Sequence, residues 1–303
     1  MMVKTQFSIK DLENLSGIKA HTLRIWEKRY NLLTPSRTDT NIRKYNLENL
    51  KKLLNTTFLY RNGFKISKIA ACSPDEISQL VTQEAQLQRE HHAIGSFKAA
   101  MLGFDNQQFD ITYSQLSAHT SFRSVFFEVF LPLLNEIGML WQTGTIDPAH
   151  ERFISEKIKQ KIIVQIAQEE QKEHAPDAPS FSLYLPYQEI HEIGLLYANY
   201  EILSHGFKTV YLGTNIPLQS LKYITKHHAK TTFLSYFTVK PDHESVEQYI
   251  DRYQKEICTA NSYDLWLFGV KTQDVKNHKL PSNISIFSSL FQLIDKLEKI
   301  KKS

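Results

Sequence analysis

The sequence predicts a multidomain chain, α on its N-terminal side and α/β on its C-terminal side. Three observations predict this. Residues 7–74 carry short helical patterns cut by turns, and residues 76–175 are helical almost throughout. From residue 181 the apolar period shortens to that of strands, and strand-like runs alternate with amphipathic helices. A chain of 303 residues has a prior of about two domains. The punctuation divides it into segments 1–74, 76–175 and 180–303.

In the first segment Phe7 to Leu12 begins a helix with Ser8 as N-cap. Ser16-Gly17-Ile18 is a tight turn, Lys19 to Tyr30 the next helix, and Thr34-Pro35 its close. Arg37 to Tyr45 is polar and contains Thr38-Asp39-Thr40-Asn41, a hairpin turn in character. Leu47 to Arg61 and Ser67 to Ala71 return to helix. Ser73-Pro74-Asp75 marks the boundary, with proline stopping one helix and Asp75 available to cap the next. Residues 1–74 hold 14 Lys/Arg against 5 Asp/Glu. The whole chain carries +4, so the rest is acidic. A basic module on an acidic body points to a polyanion for one end only; a solvated lysine-rich surface is the alternative.

In the middle segment, residues 126–141 (FFEVFLPLLNEIGMLW) repeat apolar side chains at helical spacing and read as a buried bundle helix. Asp147-Pro148 starts another, running through Glu151, Ile154, Ile158, Ile162 and Ile166. Residues 173–180 are a short linker. Five strand-like runs follow: FSLYLP, TVYLG, TTFLSYF, YDLWLFG and ISIFSS. Helices lie between and after them at 191–205, 217–229, 243–256, roughly 271–277 and 288–301. This alternation predicts a parallel sheet covered on both faces, of the flavodoxin-like, Rossmannoid kind.

No apolar run approaches the roughly 18 to 20 residues of a membrane span, so no membrane is expected. The charged amphipathic N-terminus does not read as a secretory signal. Cys72 and Cys258 are far apart and read as buried or free thiols, which fits a cytoplasmic protein.

Ser8-Ile9, Gly17-Ile18, Thr22-Leu23-Arg24, Trp26-Glu27-Lys28-Arg29-Tyr30, Leu33-Thr34-Pro35-Ser36-Arg37 and Arg43-Lys44-Tyr45 agree in order and spacing with the winged helix-turn-helix of the MerR family, which this segment resembles. The resemblance implies a double-stranded DNA operator as partner. Thr22, Arg24, Lys28 and Arg29 would read DNA from the recognition helix, and Arg37 is expected with them. Arg43 on the wing would reach a phosphate or the minor groove, and Tyr45 would donate to a phosphate. Leu15, Ile18, Leu23 and Trp26 would form the small core. Many members of that family carry a long dimerisation helix with metal-binding cysteines; here a large second half takes that place.

Glu189-Ile190-His191-Glu192-Ile193-Gly194 follows the first strand of the predicted sheet, at the edge where open α/β folds bind ligands. A loop there can present an imidazole. Glu189 can take the proton of the other ring nitrogen and raise the basicity of the ligating one. Gly194 would let the backbone pack close to a bulky ligand. The run resembles the D/E-x-H-x-x-G motif of cobalamin-binding domains. That resemblance implies His191 as the lower cobalt ligand and a slot in the sheet for the nucleotide tail. In that family a serine at the end of the third strand and a Gly-Gly pair after the fourth line the slot; Ser235 matches the first, and Gly269-Val270 half of the second.

Trp141, followed ten residues later by Glu151, resembles the W-x9-E-H motif of the CarH and LitR photoreceptors, whose four-helix bundle caps the upper cobalt face. Packing in the helical core is the alternative for Trp141. Arg152 stands where that motif has His, and Gln142 where the adenosyl-dependent prototype has a cobalt-ligating His. His150 is a conceivable substitute. The expectation is therefore a non-enzymatic DNA-binding regulator, a repressor, controlled by adenosylcobalamin or methylcobalamin bound between helical cap and Rossmannoid domain. It would be a homo-oligomer, dimer or tetramer, and responsive to light. The alternatives are a regulator independent of light or of any corrinoid, and a corrinoid methyltransferase subunit.

Overall fold

The computed structural model describes residues 6–85, 89–173, 175, 177–228, 230–259, 261–273, 275 and 280–302. It divides into two compact units, Met1–Ile158 and Lys159–Ser303.

The first unit begins with α1 (Ile9–Ser16), α2 (Ala20–Tyr30), a two-stranded antiparallel hairpin of β1 (Ser36–Arg37) and β2 (Arg43–Lys44), α3 (Leu47–Arg61) and α4 (Ile66–Ala71). Ser8 caps α1 as expected. Its hydroxyl accepts the Asp11 N–H at 3.2 Å, and Asp11 answers by accepting the Ser8 N–H at 2.7 Å. The hairpin is pinned by Phe7 and Tyr45, which exchange both backbone hydrogen bonds. Pro74 opens α5 (Pro74–Ala85). The cap is Ser73, reciprocated by Glu76, and not Asp75. Nor does the core stop there: Leu59 and Ile69 share one buried cluster with Ile77 and Val81 beyond it.

The helical remainder is α6 (Arg89–Gly103), α7 (Asn106–Ser117), the single turn α8 (Phe122–Ser124), a π-helical stretch Val125–Phe130, α9 (Leu131–Gln142) and the start of α10 (Pro148–Glu170). Phe97 is the hinge of its core, 4.7 Å from Phe109 and 5.7 Å from Phe130 between ring centroids. Each such ring buried contributes about 1.5–3 kcal/mol. The continuous run Phe122–Gln142 is, against the expectation from sequence, long and apolar enough to cross a membrane by length and composition. Its Val125, Phe126, Val129, Phe130, Leu133 and Ile137 are nevertheless buried, as in the core helix of a bundle.

The second unit takes up the rest of α10 and a five-stranded parallel sheet: β3 (Ser180–Pro186), β4 (Lys208–Ile216), β5 (Thr231–Tyr236), β6 (Leu265–Phe268) and β7 (Ile284–Phe287). The order is β4-β3-β5-β6-β7, the flavodoxin-like arrangement expected. α11 (Ile193–Ser204) and α14 (Leu290–Lys302) cover one face through Leu195, Ala198, Ile202, Leu293 and Leu297. α12 (Leu221–His227) and α13 (Val246–Glu256) cover the other through Leu221, Tyr249, Ile250 and Tyr253. Of the helix expected over 271–277, a single 3-10 turn, Val270–Thr272, is seen; residues 274, 276 and 277 lie outside the described residues.

Candidate functional site

The carboxyl ends of β3, β5 and β6 converge on one loop. Beyond Pro186 the chain turns through Gln188, whose φ is 65°, and whose N–H is held by Asn215 at 2.8 Å. Glu189 follows, and it is fully buried. One of its oxygens accepts the N–H groups of Ile190 at 2.9 Å and His191 at 3.0 Å, and lies 2.6 Å from His191 Nδ1. The other accepts the N–H groups of Val239 at 2.7 Å, Lys240 at 2.8 Å and Thr238 at 3.3 Å, all just past β5. Burial alone would push this carboxyl up. The His191 ring and the N–H groups of Lys240, Val239 and His191 outweigh it and hold Glu189 well below the usual carboxylate range.

An ionised carboxylate can only accept, so the proton between the two residues sits on His191 Nδ1 and the ring lone pair on Nε2. The side chain is about half exposed, at 53%. Exposed apolar side chains stand on the surrounding strand ends: Tyr187 and Ile190 after β3, Val239 after β5 and Val270 after β6. An imidazole beside exposed apolar strand ends suits a ligand with an apolar face and a metal at its centre. Among the described residues no group of three or more His, Cys, Asp or Glu could hold a bare ion. A metal taken by His191 would thus bring its other donors with it.

The slot residues read from the sequence have different neighbours from those expected. Ser235 is buried, and its hydroxyl donates to the Tyr184 carbonyl at 2.8 Å. Gly194 is needed for a protein ring rather than for a ligand: a Cβ there would lie 2.8 Å from Cε1 of Tyr236. Gly269 has φ 120°, and a Cβ on it would collide with the Phe237 backbone. A cavity of about 260 Å³ opens past the carboxyl ends of β4, β3 and β5, between Tyr187, Leu218, Pro241 and Tyr249.

In the helical unit Trp141 is 54% exposed, which rules out the core-packing alternative. Gln142 and Arg152 are also exposed. Glu151 is half-buried, accepts from the Ser155 hydroxyl at 3.0 Å, and has Arg152 at 3.9 Å. His150 cannot substitute for the missing histidines. It is fully buried, its Nδ1 accepts the Asp147 N–H at 3.1 Å, and its ring stacks on Phe104 at 4.7 Å.

At the DNA-reading end Arg24, Lys28 and Arg29 are exposed on α2, Thr22 is half-buried beside them, and Arg37 is exposed on β1. Leu15, Leu23 and Trp26 are buried, whereas Ile18 is only partly so. One wing residue corrects the sequence reading, and a second is paired in the free head. Tyr45 is 1% exposed and donates its hydroxyl to Glu27 at 2.9 Å, so it has no access to a phosphate. Arg43 is turned inward to the same carboxylate, Nε to Oε1 at 2.9 Å. Glu27 was missed because it sits among cations in Trp26-Glu27-Lys28-Arg29; its place on the buried side of Lys28 and Arg29 was the available signal. Tyr236 carries no local signal, since its ring packs on Gly194 of another element.

Comparisons with known proteins match the DNA-reading segment and the helical segment that follows it. Residues 7–74 match the MerR HTH family regulatory protein, and residues 94–164 match the B12 binding domain. The HTH-type transcriptional repressor CarH of Myxococcus xanthus is 26% identical over 227 residues, 73% of this chain and 75% of its own. The HTH-type transcriptional repressor CarA of the same organism is 24% identical over 217 residues, 71% of this chain and 70% of its own. In fold, the chain is similar to the monomethylamine corrinoid protein of Methanosarcina barkeri, with a TM-score of 0.53 and 13% identity over 67% of this chain and 96% of that one. The chain joins a MerR helix-turn-helix to a B12-binding domain and is a CarH-like DNA-binding regulator.

Proposed function

We propose that the chain is a cytoplasmic transcriptional repressor, not an enzyme, whose hold on a double-stranded operator is set by cobalamin. The observation that carries the reading is the Glu189–His191 pair. A buried, ionised carboxylate fixes the tautomer and aim of an imidazole that stands among apolar strand ends, in a chain that begins with a DNA reader. These residues fit a corrinoid: His191 Nε2 would meet the cobalt, and Tyr187, Ile190, Val239 and Val270 would lie under the ring. The bound group would supply a cobalt–carbon bond above the ring, as adenosyl- or methylcobalamin. Segment 1–74 would read DNA through Thr22, Arg24, Lys28, Arg29 and Arg37. Segment 76–175 would offer Trp141 and Glu151 to the upper ligand, and segment 180–303 would hold the lower face. A ligand with unequal affinity for two arrangements of a homo-oligomer, dimer or tetramer, can then bias DNA binding.

The test is spectral. His191→Ala should lose the histidine-ligated cobalamin spectrum and bind the ligand at least about tenfold more weakly, since a ligating group is gone. A variant with the spectrum and affinity of the unaltered protein would remove His191 as the lower ligand. Light is the finer part of the reading. With Gln142 and Arg152 in place of histidines, and His150 buried, the expected photoproduct is water- or hydroxide-bound. Absorption, chromatography and DNA binding before and after green light test this; unchanged oligomer size and DNA affinity after photolysis would leave a dark cobalamin sensor.

A further inference from the structure

On the α11 face of the sheet, the point beside Gly194 where a ligand tail would enter is filled by a side chain. In the order β4-β3-β5-β6-β7 the winding reverses between β3 and β5. Open α/β sheets leave their ligand crevice at such a switch point. Here β5 ends on Tyr236. Its ring reaches back over that point to α11, so close that Gly194 has no room for a Cβ: the added atom would be 2.8, 3.0 and 3.1 Å from three ring carbons. On its other side the ring packs on Phe268 at the end of β6, 4.6 Å between centroids. Behind it Phe181, Trp266 and Phe287 continue the packing, with Trp266 5.2 Å from Phe181 and 5.1 Å from Phe287. Gly194 is three residues from His191, so this filled crevice lies directly beside the loop that presents the imidazole.

The consequence depends on the chemistry of the ligand, and it rests on the reading that a corrinoid binds at His191. An imidazole that takes the lower cobalt position displaces any base the ligand carries on that face. In cobalamin that base is a benzimidazole tied to the ring through a nucleotide tail, so the tail must be housed by protein on the histidine side. We propose that Tyr236 sets corrinoid specificity: it closes the tail crevice, so the chain accepts a corrinoid without a nucleotide tail in preference to complete cobalamin. Complete cobalamin binds only with the Tyr236 ring turned out, away from Gly194 and Phe268. Discrimination of this kind comes from a steric obstacle to one ligand rather than from a contact to the other.

Titration of the full chain in the dark with aquacobinamide, which lacks the tail, and with aquacobalamin decides the matter. The unaltered protein should bind cobinamide more tightly than cobalamin by about tenfold or more. Tyr236→Ala should raise cobalamin affinity by about tenfold and leave cobinamide affinity within about threefold. Tyr236→Phe keeps the ring and should behave as the unaltered protein. Cobalamin binding as well as or better than cobinamide to the unaltered protein overturns the proposal, whether or not the alanine variant folds. So does a ratio that Tyr236→Ala leaves unchanged. Loss of a histidine-ligated spectrum with both corrinoids and in every variant would instead sink the reading of His191 itself, and the role of Tyr236 with it.

Discussion

Glu27 in the DNA-reading head and Glu189 in the sheet are both carboxylates placed next to a structure that needs orienting, and they act in opposite directions. Glu27 draws inward. It accepts Arg43 and Tyr45 from the wing, which withdraws Tyr45 from DNA and pairs Arg43 in the free head. Glu189 pushes outward. Its oxygens collect backbone N–H groups from two loops, and what it releases to the surface is the imidazole of His191. A carboxylate near a candidate site can thus consume the neighbouring functional group or present it. The difference lies in which partner is backbone. Where main-chain N–H groups satisfy most of the carboxylate, the side chain it also holds can stand at the surface.

The sharpest way to break the comparison is to remove the charge on Glu189. In Glu189→Gln one oxygen becomes an amide donor facing N–H groups that need an acceptor. A buried donor left unsatisfied costs about 1–3 kcal/mol. The loop should loosen, thermal unfolding should begin earlier, and corrinoid affinity should fall by about 10–100-fold, the usual cost of losing a ligand's outer partner. A binding curve and melting profile unchanged from the original protein would mean that His191 is aimed by something other than this carboxylate.

Acid probes the same residue without mutation. Glu189 is depressed in the folded chain relative to its ordinary value of 4.5. Its contribution to stability is therefore complete above that value and is withdrawn as pH falls below it toward the folded-state value. The second unit should lose stability through this acid limb. In Glu189→Gln the limb should be flatter. If the two proteins have equally steep acid limbs, other carboxylates dominate the transition.

Glu27→Gln should be milder, since both the carboxylate and its arginine retain some contact with solvent. A head destabilised by about 1 kcal/mol is expected from the weakened bonds to Tyr45 and Arg43. DNA affinity should fall through a looser wing, with the salt dependence unchanged because no phosphate contact is lost. A changed salt slope in this variant would place Glu27 in the electrostatics of the DNA interface rather than beneath it.

How much of this was legible follows from what each residue's role depends on. The sheet was readable strand by strand, because a parallel sheet buried on both faces demands apolar runs such as Phe181 to Leu185 and Leu265 to Phe268. Glu189 and His191 were readable together because the pairing is local, two residues apart. Tyr45 was not, because its burial depends on Glu27, eighteen positions earlier on another element. Tyr236 was not, because the ring's position depends on Gly194, forty-two positions away, having no side chain. The same holds for His150, whose availability is decided by Phe104 across the bundle. Pattern reveals residue type and face; it does not reveal which partner has already been taken.

The smallest effect is the most informative about the wing. Arg43 is paired with Glu27 at 2.9 Å, with about a third of its side chain exposed. Pairs of that exposure are worth about 0–1 kcal/mol, so Arg43→Ala should cost the head little stability. If the pair persists on DNA, Arg43 neutralises Glu27 and no phosphate, and the slope of log affinity against log salt should stay where it was. Arg24→Ala, on the exposed face of α2, should by contrast lower that slope by about one if it meets a phosphate. Salt titrations of both variants against one operator make the comparison. A slope lowered by about one in Arg43→Ala would mean that phosphate outcompetes Glu27 for the guanidinium. The inward pairing would then be a resting state of the free wing, and Glu27, like Glu189, a residue that presents its partner.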